Sequence, residues 1–95
     1  MCANIVEKTA VSGSGKGLTG WFTLTEAAVS YDHPFHVDLE HALNIDFVNE
    51  SLGPGARVAV ELSAEAARAL VATISAVLER ADAGGYLEQP APAAQ

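Results

Sequence analysis

HALNIDFVNESLGPGARVAVEL, residues 41–62, decides the fold of this 95-residue chain. Between His41 and Val48, Leu43, Ile45 and Phe47 alternate with Asn44 and Asp46, the period of two that lines one face of a strand with apolar side chains. From Arg57 to Leu62 the pattern repeats, with Val58, Val60 and Leu62 set against Arg57, Ala59 and Glu61. The intervening Asn49 to Gly55 (NESLGPG) has the composition of a turn. An antiparallel hairpin with one apolar face is the simplest reading.

Beyond the hairpin, Ser63 is a good helix N-cap and Glu65 falls in the first turn, where the helix dipole favours an acid. Ala67, Leu70, Val71, Ile74, Val77 and Leu78 then recur at helical spacing as one apolar stripe. Arg80 and the pair Gly84-Gly85 close the helix, which is predicted from about Ala64 to about Asp82. YLEQPAPAAQ, residues 86–95, reads as a flexible Pro/Ala-rich tail, leaving a single domain over 1–85.

Before the hairpin, Asn4 to Val11 is β-branched and mixed with charge, a half-exposed strand that is expected to end in the glycine loop Ser12-Gly13-Ser14-Gly15-Lys16-Gly17. Trp21 to Tyr31 reads as a second strand, its alternation slipping near Thr25-Glu26 as at a bulge, and Asp32-His33-Pro34 stops it. The fold class is therefore α+β, a four-stranded antiparallel β-β-β-β-α meander with the C-terminal helix packed on its apolar face. One helix covers four strands sparingly, so a homodimer or larger homo-oligomer is expected, formed through the sheet.

Composition narrows the function. Twelve acidic against five basic residues give a formal charge of −7, which repels nucleic acid and anionic lipid surfaces. MCANIVEKTAV lacks a basic stretch followed by an apolar one, and Ala66 to Leu78 is interrupted by Arg68, Thr73 and Ser75, so neither a signal peptide nor a membrane span is expected and the cytoplasm is the expected location. A single cysteine permits no internal disulfide. Gly13 to Gly17 has the flavour of a phosphate loop, but Gly17 replaces the Ser or Thr that must follow the lysine, and a strand rather than a helix comes next.

Chemistry concentrates in Cys2, His33, His36 and His41, the one cysteine and all the histidines. Antiparallel register carries the start of the first strand to the end of the second. His33 and His41 then face each other across the neck of the next hairpin, with His36 in its loop. The end of the fourth strand brings Ser63 and the helix N-terminus to the same place. Three imidazoles and a thiolate fill a tetrahedral zinc shell, whereas a carboxylate with two histidines suits non-haem iron; zinc is the first expectation and iron the second. Asp32, Glu40 and Ser63 are expected to support the ligands from behind.

An open shell would activate water or take a small-molecule ligand, and a closed one would staple the N-terminus. Whether the protein is an enzyme stays open. The competing readings are an accessory or interaction subunit, and a metal-free thiol enzyme with Cys2 as nucleophile and His33 as base. Phe35, between His33 and His36, is the one aromatic placed to cap a pocket or enter a partner.

The residues Met1-Cys2-x-Asn4-Ile5-Val6-Glu7, Ser12 to Gly17, Gly20-Trp21-Phe22, Tyr31-Asp32-His33-Pro34, Glu40-His41, Asn44 to Phe47 and Arg57 to Leu62 carry one further observation. Over about residues 1–80 the chain resembles a family of small actinobacterial proteins of unknown function. The resemblance implies a bacterial cytosolic protein and brings no catalytic residues with it.

Overall fold

The computed structural model describes residues 5–87. The chain runs through β1 (Ile5–Gly17), β2 (Gly20–Asp32), β3 (Ala42–Val48), β4 (Arg57–Leu62) and α1 (Ala64–Ala83), with one 3₁₀ turn, Glu50–Leu52, between β3 and β4. The strands form a single antiparallel sheet in the order β1-β2-β3-β4. This is the expected α+β meander. Pairing of Ile45 with both Val29 and Val60 fixes the faces: Val29, Tyr31, Leu43, Ile45, Phe47, Val58, Val60 and Leu62 line one, and Ser30, Asp32, Asn44, Asp46, Arg57 and Glu61 the other.

The glycine segment corrects the sequence reading. Ser12 to Gly17 is not a loop but the second half of β1, with Gly13 opposite Leu24, Gly15 opposite Phe22 and Gly17 opposite Gly20, so the hairpin turn shrinks to Leu18-Thr19. The irregularity foreseen near Thr25 is present, carried by the other strand. Ala10 pairs with Glu26 and Gly13 with Leu24, leaving Val11 and Ser12 opposite one residue. Past this bulge the hairpin folds over the apolar face as far as β4. A Cβ on Gly15 would sit 3.1 Å from Leu24 Cδ2 and 3.3 Å from Val58 Cγ2, so the glycine is there for clearance.

Asn49 fastens this arrangement. Only 6% exposed, it donates from Nδ2 to the Thr23 carbonyl at 3.0 Å. Its Oδ1 accepts from the Ser51 amide at 3.1 Å and the Ser51 hydroxyl at 2.6 Å. One side chain thus ties β2 to the turn after β3 and caps the 3₁₀ turn.

The helix starts as expected, with the Ser63 hydroxyl accepting from the Ala66 amide at 3.0 Å. It ends in a Schellman pattern. Gly85 (φ +77°) donates to Asp82 O, and Tyr86 donates to Ala81 O. The helix meets β3 and β4, yet within α1 only Ala67 and Ala81 are half-buried. Leu70, Val71, Ile74, Val77 and Leu78 stay 42–65% exposed. Among the described residues the buried apolar side chains are Leu24, Ala27 and Ala42, all small or in the sheet. No helix among these residues is long and apolar enough to cross a membrane. The expected tail is described only as far as Leu87.

Candidate metal centre

The site lies where β2 hands over to β3. Asp32 ends β2 opposite Ala42, so the next residues outward, His33 and His41, flank the neck of the connection. Their rings stack with centroids 4.8 Å apart and planes 26° from parallel. Tyr31, one step inward on the same face, stacks on His41 at 6.1 Å. The ladder Tyr31–His41–His33 is the local consequence of a period-two strand meeting its antiparallel partner.

His33 is held in one tautomer. Its Nδ1 lies 2.9 Å from the Glu40 carbonyl oxygen, and since a carbonyl only accepts, Nδ1 carries a proton, which in the neutral ring leaves the lone pair on Nε2. Support from Glu40 therefore comes from its backbone, not its carboxylate. Asp32 Oδ1 accepts the His33 amide at 2.7 Å, which orients the carboxylate toward the same turn. One ligand atom each from Asp32, His33 and His41 lies within 4.8 Å of the others. Ligands bound at about 2.0–2.2 Å in tetrahedral geometry stand roughly 3.3–3.6 Å apart, so an ion would draw these three side chains inward.

His36 goes elsewhere. The carboxylate of Glu61 on β4 accepts the amides of Phe35, His36 and Val37, the latter two at 2.9 Å each. The loop is folded around that acid, with the His36 amide turned to Glu61. The amide of Val37 foremost, then that of Phe35, hold the Glu61 carboxyl below the usual range for a glutamate, with smaller help from the His36 amide and charge. Sequence reading passed over Glu61, because in its strand it occupies an ordinary solvent-facing position; only its register beside Asn44, next to the end of β2, brings it under the loop.

Of the expected ligands, His33 and His41 come together, Asp32 joins them from the supporting set, and Cys2 lies outside the described residues. Ser63 spends its hydroxyl on the helix cap, while its strand position, one beyond the pair Leu62–Leu43, sets the helix N-terminus beside this end of the sheet. On the polar face below, an open groove of about 840 Å³ runs past Asp32, His36, Asn44, Arg57 and Glu61. Arg57 is paired with Asp46. Asn44 donates to the Asp32 carbonyl at 3.4 Å while its buried Oδ1 has no hydrogen-bond partner among the described residues. Phe35, 96% exposed, stands at the rim and caps nothing among the described residues.

No curated protein matches the chain, and no solved structure does. The model of a family of unknown function, DUF6295, matches residues 1–87, and the chain belongs to that family.

Proposed function

We propose that the protein binds a transition metal ion at the β2–β3 neck, through His33 and His41 with the Asp32 carboxylate. The observation that carries this reading is the convergence of three ligand atoms of suitable type within 4.8 Å. The fixed His33 tautomer supports it, because a metal-binding imidazole commonly donates its other N–H to a carbonyl or carboxylate. Cys2 is the proposed fourth ligand: it precedes by three residues Ile5, whose partner Tyr31 is two residues short of His33. His36 is the reserve.

With the thiolate bound, zinc is the first choice and the site is a staple. With two histidines and one carboxylate alone, open positions remain, iron becomes the competitor, and bound water becomes available for chemistry. An interaction subunit is the second reading, supported by the uncovered apolar stripe of α1.

Elemental analysis of the untagged protein, followed by titration with zinc and iron(II), tests the proposal. About one equivalent of metal in the wild type, and loss of it in His41→Ala and Asp32→Asn with the circular dichroism spectrum retained, is the expected result. Less than about a tenth of an equivalent, with no uptake on titration, would end the metal reading.

A further inference from the structure

The exposed stripe of α1 reads the same in both directions. About Ile74, Val71 and Val77 stand three residues away on either side, Leu70 and Leu78 four, and Ala67 and Ala81 seven. The residues between nearly follow suit, with Ala72 answering Ala76 and Thr73 answering Ser75. Ile74 is also at the middle of the helix, which spans Ala64–Ala83. A stripe with this symmetry is complementary to itself when a second copy runs antiparallel across it, since a two-fold axis at Ile74 sets each residue against its mirror counterpart. Leu70 then meets Leu78 of the other helix, Val71 meets Val77, and Ile74 meets itself.

At 100° per residue Arg68 and Glu79 stand about 120° and 140° around the helix from Ile74, and Arg80 about 120° the other way, so these charges lie outside the paired face.

The exposed area points the same way. The chain exposes 7528 Å² for a mass of 9.8 kDa. Even if residues 1–4 and 88–95 are granted all the surface of an extended chain, what remains exceeds that of a folded monomer of the described mass by about 1,100 Å². Leu70, Val71, Ile74, Val77 and Leu78, 42–65% exposed, carry part of that surplus, which pairing with a second copy would cover.

We infer that α1 is a homodimer interface, an antiparallel helix pair with its two-fold axis at Ile74, and that the occupant of the exposed stripe is a second copy of this chain. The sheet edges are left out of this contact. The metal reading neither supports the pairing nor depends on it.

Sedimentation equilibrium on the full chain should give twice the 9.8 kDa chain mass at micromolar concentration. Ile74→Asp, which sets two carboxylates face to face on the axis, should raise the dissociation constant by roughly 100-fold or more. Should that variant fail to fold, the geometry is read by oxidation in a Cys2→Ser background. Ile74→Cys should cross-link to its counterpart. Leu70→Cys should not, because its counterpart lies about 12 Å away along the axis, beyond disulfide reach. A single-chain mass at every concentration, cross-linking of Leu70→Cys as readily as Ile74→Cys, or a dimer in which Ile74→Cys never cross-links would each overturn the inference.

Discussion

Replacing Asn49 by Ala should be among the costliest single changes in the chain. The side chain is nearly buried and makes three hydrogen bonds, one donated to Thr23 O and two accepted from Ser51. A neutral hydrogen bond contributes about 1 kcal/mol net, and Thr23 and Ser51 are exposed enough for water to recover part of the loss, so the cost should be about 2–3 kcal/mol. For a domain of this size that corresponds to a fall of roughly 10–20 °C in Tm. Urea unfolding followed by circular dichroism, with unchanged m, measures it. Asn49→Asp sharpens the test, since the carboxylate keeps both bonds from Ser51 but turns an acceptor toward the Thr23 carbonyl. That variant should be destabilised at pH 7 and partly restored at acid pH, where a protonated carboxyl can donate again. An Ala variant within about 0.5 kcal/mol of wild type, or an Asp variant equal to wild type at pH 7, would refute the role given to Asn49.

Zinc at about 100 times its dissociation constant should stabilise the protein by about 2.7 kcal/mol, seen as a rise of roughly 10–20 °C in Tm that His33→Ala abolishes. Glu61 has its pKa lowered by loop amides, so the anchoring is complete above the unfolded value of about 4.3 and is lost as pH falls through the lower folded value. Protection of the Phe35, His36 and Val37 amides, taken relative to their intrinsic exchange rates at each pH, should therefore be lost only in that acid window in the wild type, and be reduced already at neutral pH in Glu61→Gln. Ser63→Ala should cost about 1 kcal/mol in urea unfolding, and Ser63→Gly only a few tenths. Gly85→Ala should cost about 1–2 kcal/mol or fray the last helical turn, because φ at Gly85 is +77°.

What could be read from residue order was whatever a local pattern governs. The alternation in Leu43–Phe47 and Val58–Leu62, and the cap at Ser63 ahead of the stripe in α1, translate directly into β3, β4 and the helix. The glycines of β1 misled because their usual meaning is a turn, whereas here Gly17 clears space for Phe22 of the paired strand, and Gly15 for Leu24 and for Val58, the last a contact that exists only once the hairpin has folded over the sheet. At the site, the meeting of His33 and His41 follows from simple antiparallel register. The capture of the His36 amide by Glu61 does not, since it joins residues 25 apart through a strand position that reads as solvent-facing. The exposed stripe was legible as a stripe; that the chain's own sheet would leave it uncovered was not.

The bulge in β1 has a bearing on solubility. A thirteen-residue strand at the margin of a sheet would ordinarily be an inviting template for a stray strand of another molecule. Here the ladder breaks between Ala10 and Gly13 into runs of six and five paired residues, with Lys8 in the first and Lys16 in the second. Fibril-forming segments are about six or seven residues with low net charge and few glycines; the second run is too rich in glycine for that, and the first carries Glu7 and Lys8 side by side in its middle. At the opposite margin β4 is six residues long and carries Arg57 and Glu61. Chains crowded together at high concentration thus find little to copy along either side of the sheet.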